Sequence, residues 1–374
     1  LAEVPNKPAS AVPPFALWLA AILGLTLLAY SQGFGGPFFF DDEHSIVGNP
    51  RLRGFGWLFD PSAPPDAMMF AGRPLVTLSF CVNYALGGLE PWGYHAVNLG
   101  IHLAASAVLF LLLRRVFVRL SFASAEAEGL AGAAALLWAV HPINSEAVLY
   151  LTQRTELLMG LMYLLTLYAA DRAWDAPRVW GPAAVAACWA GMACKEVMVS
   201  APLAVALYDR CVLAPSWADA LRRRRWVYAG LAASWGLLAT LMLTRPANRT
   251  ITVEGPVSPA EYLFTQAGVI LHYLRLCVWP TGLSVVHDFP IVRSLPAVIP
   301  AGSVIVALLA ATAWALWKRP AVGWAGSLFF LILAPTSSVV PILTEVSAER
   351  RMYLPSAVVV ALLTVGAWRL LSSF

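Results

Sequence analysis

Charge is scarce in this sequence. Asp, Glu, Lys and Arg make up 12% of its 374 residues, roughly half the share of a soluble domain, which excludes an ordinary water-soluble fold. Cysteine is sparse too. Cys81, Cys188, Cys194, Cys211 and Cys277 are odd in number and sit mostly within or beside apolar segments. They show neither zinc spacing nor a disulfide framework and read as small packing residues. Internal repeats, low-complexity blocks and a separate soluble domain are missing, as is the alternating pattern of a transmembrane barrel. The first apolar segment has a thin basic flank and no small-residue cleavage site, so it does not read as a cleavable signal.

What is abundant is apolar sequence. Hydrophobic residues make up 59% and the mean hydropathy is +0.70. Stretches long enough to cross a bilayer as helices recur at 14–30, 94–113, 129–140, 155–170, 179–194, 197–213, 226–243, 263–279, 297–317, 321–340 and 353–370. The pattern predicts an all-α polytopic membrane protein of about 11 transmembrane helices. Pro-rich residues 1–13 read as a disordered tail, and 14–374 as one transmembrane domain.

The net charge of +4 and pI of 8.9 do not imply nucleic acid, because the basic residues sit mostly in short loops. The densest run is RRRR at 222–225. Alternate ends of the spans carry twice as many basic as acidic residues, and the remaining loops carry an excess of acid. The basic ends are therefore cytoplasmic and the long loop 31–93 extracytoplasmic. Parity fails at one place: a full crossing by 263–279 would put Lys318 and Arg319 outside. A segment that bends back or lies in the interface there restores it. Within the long loop, 54–59 and 74–88 predict short interfacial helices.

The unusual polar clusters fall on the extracytoplasmic side: DDEH (41–44), GRP (72–74), YHAVN (94–98), HPINSEAV (141–148), QRTE (153–156), CKE (194–196), VHDF (286–289) and AERRMYLP (348–355). Ionisable groups held near a bilayer usually line a cavity. Arg and Lys hold phosphate, and a carboxylate within reach of a hydroxyl takes its proton as a bond to the oxygen forms. With lipid around them, these groups suit transfer from a lipid-phosphate donor to a hydroxyl. A transporter or flippase for lipid-linked sugars is the alternative from another class. It predicts polar residues on both faces and an internal repeat.

FFFDDEHSIVGNP, RPLVTLSFCVNYALGGLEPWGYHAVNLGIH, HPINSEAVLYLTQRTELL, CKE, HYLRLCVWPTGLSVVHDFP and ERRMYLPS follow one another in this order. Together they resemble the membrane portion of the transmembrane, tetratricopeptide-repeat-containing O-mannosyltransferases and their bacterial relatives, within the GT-C glycosyltransferases. The resemblance runs from about residue 15 to 356, and no such repeats follow it before Phe374. It implies a GT-C bundle, a polyprenyl- or dolichyl-phosphate sugar donor and inverting transfer of a mannose-like sugar. The acceptor it implies is a protein Ser or Thr; a glycan or lipid A acceptor is the alternative within the superfamily. No cofactor is implied, and the location is a bacterial cytoplasmic membrane with the site facing the periplasm.

On this resemblance the acidic pair is Asp41, the general base, and Asp42, its partner. Asp42 also fits as a helix cap, and Asp41, Asp42, Glu43 and His44 together fit a divalent metal. The candidates for donor phosphate are Arg154, Lys195, Arg350, Arg351 and Arg73, with a structural Lys195–Glu196 ion pair as the competing reading. Glu43, His44, His141, Glu146, His287, Asp288 and Tyr353 are placed around sugar and acceptor, Tyr353 alternatively in the aromatic belt. The sequon at Asn248 is a weak match.

Overall fold

A computed structural model of the protein describes residues 15–58, 70, 72–244, 257–338 and 345–374. The expected tail at 1–13 and the Asn248 sequon lie outside the described residues. Among the described residues every regular element is helical. The α-helices are α1 (Phe15–Tyr30), α2 (Pro74–Gly87), α3 (Pro91–Arg119), α4 (Ser124–Ala139), α5 (Ser145–Leu149), α6 (Arg154–Asp175), α7 (Pro177–Met192), α8 (Ala201–Tyr208), α9 (Trp217–Leu243), α10 (Pro259–Val278), α11 (Leu295–Lys318), α12 (Pro320–Leu333) and α13 (Pro355–Ser372). Each of the eleven apolar segments overlaps one of these. Among the described residues five stretches, Phe15–Gly35, Pro91–Arg119, Trp217–Leu243, Leu295–Lys318 and Pro355–Ser372, are long and apolar enough to cross a membrane.

Proline sets many of the boundaries. Six helices, α2, α3, α7, α10, α12 and α13, open on it. There its fixed φ suits the first turn and its missing N–H costs nothing. At α10 a capping box reinforces the start: Glu261 N donates to Ser258 Oγ (3.3 Å) while Glu261 Oε2 accepts from Ser258 N (2.8 Å).

Packing closes the helices into a ring. α3 lies against α1, α4 and α6; α6 meets α8, α8 meets α12, α12 meets α13, and α13 returns to α4. Close approach depends on small residues. A Cβ on Gly160 would stand 2.6 Å from the Tyr353 ring. Tyr353 itself is fully buried, its hydroxyl 2.9 Å from His102 Nδ1. His102 Nε2 donates to Ala139 O (2.8 Å), so Nδ1 is left to accept from the tyrosine. Trp138 Nε1 donates to Tyr353 O (2.8 Å), completing a knot of three rings inside the bundle.

The segment 263–279, expected to bend back or lie in the interface, forms α10 without a bend. It is one unbroken helix, and both its ends bond to the same end of the bundle. Tyr262 OH donates to Thr336 O (2.9 Å) and Gln266 Nε2 to Val346 O (2.9 Å). At the other end, His141 Nε2 donates to Cys277 O (3.1 Å). Thr336 follows α12, Val346 precedes α13 and His141 follows α4, so α10 lies across the helix ends. Lys318 and Arg319 remain at the opposite, basic end.

That basic end is locked by ion pairs. Arg115 and Arg119 of α3 pair with Asp171 and Asp175 of α6. Buried Asp209 pairs with Arg224 and accepts from Tyr228 OH (2.5 Å). The run 222–225, read as loop from sequence, belongs to α9 with a kink at Arg224, where the guanidinium turns inward.

Candidate functional site

The segment between α4 and α6 organises the polar end. Ser145–Glu156 carries Glu146 to one group of charges, Tyr150 and Thr152 to a second, and Glu156 to a third. Each group holds some of the residues singled out in the sequence.

The second group contains the acidic pair. Asp42 is fully buried, its Oδ1 accepting from Thr152 N (2.9 Å) and its Oδ2 from Phe39 N (3.4 Å). Asp41 N donates to Tyr150 OH (2.9 Å), and the Phe39 ring stacks on Tyr150 with centroids 4.7 Å apart. Between them Phe40 has φ +48°, a conformation an aromatic residue rarely adopts and which the two clamps impose. The Asp41 carboxyl lies beside the Tyr150 hydroxyl and is half-buried. Glu43 and His44 are exposed. Asp42 does accept backbone N–H groups, but they are those of Phe39 and distant Thr152, not of a helix that it caps. Among the described residues no group of three or more His, Cys, Asp or Glu converges as metal ligands.

Burial pushes the Asp42 carboxyl up to about 6, against the lowering effect of its bonds from Thr152 and Phe39. Because the folded value exceeds the unfolded one, the ionised form costs stability. Stability from this group declines as pH rises from 3.8 to about 6 and is flat above. The expected loss across that window is on the order of 2–3 kcal/mol, and Asp42→Asn should remove most of it. Thermal unfolding in detergent at acid and neutral pH measures this; the same pH dependence in the variant would place the titration elsewhere.

Arg154 opens α6 directly below the acidic turn, fully buried. Its Nε donates to Asn98 Oδ1 (2.7 Å), Nη2 to Asn83 Oδ1 (2.8 Å) and Tyr94 O (3.2 Å), and Nη1 to Ser79 O (3.2 Å). The Phe80 ring covers it at 4.0 Å. With its donors thus engaged, Arg154 ties α2 and α3 to the loop that clamps Asp42. Asn98 belongs to the YHAVN motif, which was the sequence signal for this bond; nothing in the sequence marked Tyr150 as the clamp on Asp41.

Lys195 and Arg73 form the third group. Lys195 pairs with buried Glu156, and Arg73 with Glu196 at 3.2 Å. The Lys195–Glu196 pair, the competing reading for this lysine, is therefore not formed, since Lys195 is extended and reaches Glu156. The first group joins Glu146, Arg350 and Glu345, with Arg350 N also donating to Glu146 Oε2 (2.8 Å). Beside it His287 lies 2.6 Å from Glu349, which burial holds above the usual carboxylate range. Arg351 donates to Val346 O (3.2 Å) and Glu345 O (2.5 Å). His141 accepts from Ile143 N (3.2 Å) through Nδ1, and burial lowers its pKa. Asp288 is exposed. Tyr353, expected at the rim or in an aromatic belt, is in the core, because Gly160 opposite leaves room for its ring.

Beside these groups an apolar cleft of about 710 Å³ runs between α4 and α13, lined by Leu130, Ala133, Leu137, Val360 and Leu363, with His141 and Cys277 at its polar end.

No family model and no solved structure matches the chain. Among curated proteins it is similar to protein O-mannosyl-transferase Tmtc2 of Drosophila melanogaster, with 30% identity over 282 residues, 70% of this chain and 29% of the relative. The human protein O-mannosyl-transferase TMTC4 is 32% identical over 174 residues, 42% of this chain and 23% of that protein. Tmtc1 of Drosophila melanogaster is 27% identical over 300 residues, 71% of this chain and 34% of that protein. The aligned part thus spans about a third or less of these relatives' length. These relatives share one name, protein O-mannosyl-transferase, and the similarity over that portion supports placing the chain in the TMTC family.

Proposed function

We propose that the chain is the membrane part of an inverting glycosyltransferase of GT-C type, with about 11 crossings and its polar end outside the cytoplasm. It moves a mannose-like sugar from a polyprenyl-phosphate donor to a hydroxyl, on a protein Ser or Thr. The observation that carries this reading is the division of the acidic pair. Asp42 is buried and spent on backbone N–H groups, while Asp41, one residue away, keeps an accessible carboxylate.

In this reaction Asp41 takes the acceptor's proton as the acceptor oxygen bonds to the anomeric carbon from the face opposite the phosphate. The bond from that carbon to the phosphate oxygen breaks, and its electron pair leaves with the phosphate. Asp42 and Tyr150 fix the base, and Arg154 acts through the loop that holds them. The phosphate charge falls to Lys195, Arg73, Arg350 and Arg351, which enter with carboxylates or carbonyls as their partners and exchange some of them for phosphate oxygens. The cleft between α4 and α13 suits the prenyl chain, since its walls are mostly apolar, with Glu126 toward one end and His141 at the other. Glu43, His44, His287 and Asp288 surround the sugar and acceptor. No metal has a part in this scheme.

Protein reconstituted in nanodiscs with radiolabelled polyprenyl-phosphate mannose and a Ser/Thr-rich peptide is expected to label the peptide, and to do so unchanged in chelator. Donor that stays intact with every hydroxyl acceptor offered would overturn the assignment. Activity that vanishes in chelator and returns with a divalent ion would bring a metal into the mechanism.

A further inference from the structure

The charged groups at the polar end account for one apolar cleft; a second opens toward the other end. Between α3 and α6 on one side and α12 and α13 on the other lies a cavity of about 390 Å³. Leu112, Leu164, Leu328 and Val358, one from each helix, represent its wall, and Lys318, Arg319 and Arg369 stand at its mouth. Among the described residues no carboxylate lines it. Of the acids at that end, Asp171 and Asp175 are taken by Arg115 and Arg119, Glu128 by Arg114 and Asp209 by Arg224. Lys318 Nζ lies 3.9 Å from the centroid of the Trp317 ring, and all three cations are exposed.

An apolar cleft of this size left empty between packed helices is costly, because its walls lose their contacts. In a bilayer, hydrocarbon chains are the filler at hand. Three cations without acids at the mouth then select the headgroup by charge. We propose that this cleft binds one anionic phospholipid from the cytoplasmic leaflet, its phosphodiester held by Lys318, Arg319 and Arg369 and an acyl chain lying between α3 and α13. The site is separate from that of the sugar donor: α6 is 22 residues long, which puts roughly 33 Å between the acidic pair at its start and the basic end. The inference does not depend on the transferase reading.

The experiment compares dioleoyl-phosphatidylglycerol, dioleoyl-phosphatidylcholine and free glycerol 3-phosphate as additives to the delipidated, full chain. Native mass spectrometry counts retained lipid, and thermal unfolding reads the stabilisation. One phosphatidylglycerol retained per chain is expected, with a rise in Tm that neither of the other two reproduces. Combined Lys318→Ala, Arg319→Ala and Arg369→Ala should cut retention at least tenfold. So should Ala361→Trp: Ala361 of α13 lines the cleft, and the larger ring fills it and leaves the cations in place. Equal retention of phosphatidylcholine would overturn the selection by charge, and equal stabilisation by glycerol 3-phosphate would reduce the site to a surface anion patch. Undiminished retention in Ala361→Trp would overturn the cleft as its location.

Discussion

Asp41→Asn should abolish sugar transfer, lowering it by at least ~10²–10⁴-fold, the range a positioned base supplies, without a measurable fall in Tm. The amide has nearly the same shape as the carboxylate but cannot take a proton at working pH. The bond that positions residue 41 is donated by its backbone N to Tyr150 OH, so the substitution leaves it intact. Asp41 is half-buried beside the Tyr150 hydroxyl, and the amide keeps an oxygen there to accept from it, so stability should move by no more than about 0.5 kcal/mol. Retention of the lipid donor by the purified variant should match that of the wild type, since Asp41 has no part in holding phosphate. Asp42→Asn separates the two acids by a different signature: it alters the pH dependence of stability, which Asp41→Asn should not. Wild-type turnover in Asp41→Asn would remove that residue from the chemistry.

The acidic pair and the apolar segments were legible because each leaves a local mark: three adjacent carboxylates in a greasy chain, and runs of hydropathy ended by proline. The partners of the buried charges left none. Lys195 and Glu196 are neighbours in sequence, and adjacency made them the obvious pair. In the fold Lys195 reaches Glu156 and Glu196 reaches Arg73, 39 and 123 residues away. Arg154 looked available for phosphate in its motif, yet acceptors from four residues of two other helices converge on it, and only tertiary packing brings Asn83 and Asn98 together there. Tyr353 sits between two basic residues and the first proline of α13, where an interfacial ring is the sequence's natural reading. A glycine on α6, 193 positions earlier, is what admits it to the core. At the other end, Arg224 in a run of four arginines reads as solvated charge; its inward turn depends on Asp209, supplied by the preceding helix end.

Lys195→Met is expected to destabilise the protein by about 3–5 kcal/mol, the cost of stranding a buried partner charge. Lys195 is 8% exposed and Glu156 2%, so removing the ammonium leaves a carboxylate with little water to hydrate it. Glu156→Leu should do similar harm by stranding the lysine. The double replacement Lys195→Met with Glu156→Leu substitutes two apolar side chains for the pair, and stability should return to within about 1 kcal/mol of wild type, because the desolvation of both ions is removed with their attraction. The same double variant decides what Lys195 does for the reaction. If its ammonium leaves Glu156 for the donor phosphate, the restored fold should still bind donor poorly, with KM for the polyprenyl-phosphate sugar raised at least tenfold and kcat less affected. Restored stability together with a wild-type KM would confine the pair to the scaffold. The phosphate would then rest on Arg73 and Arg350, whose carboxylate partners Glu196 and Glu345 are the more exposed ones and so the easier to displace.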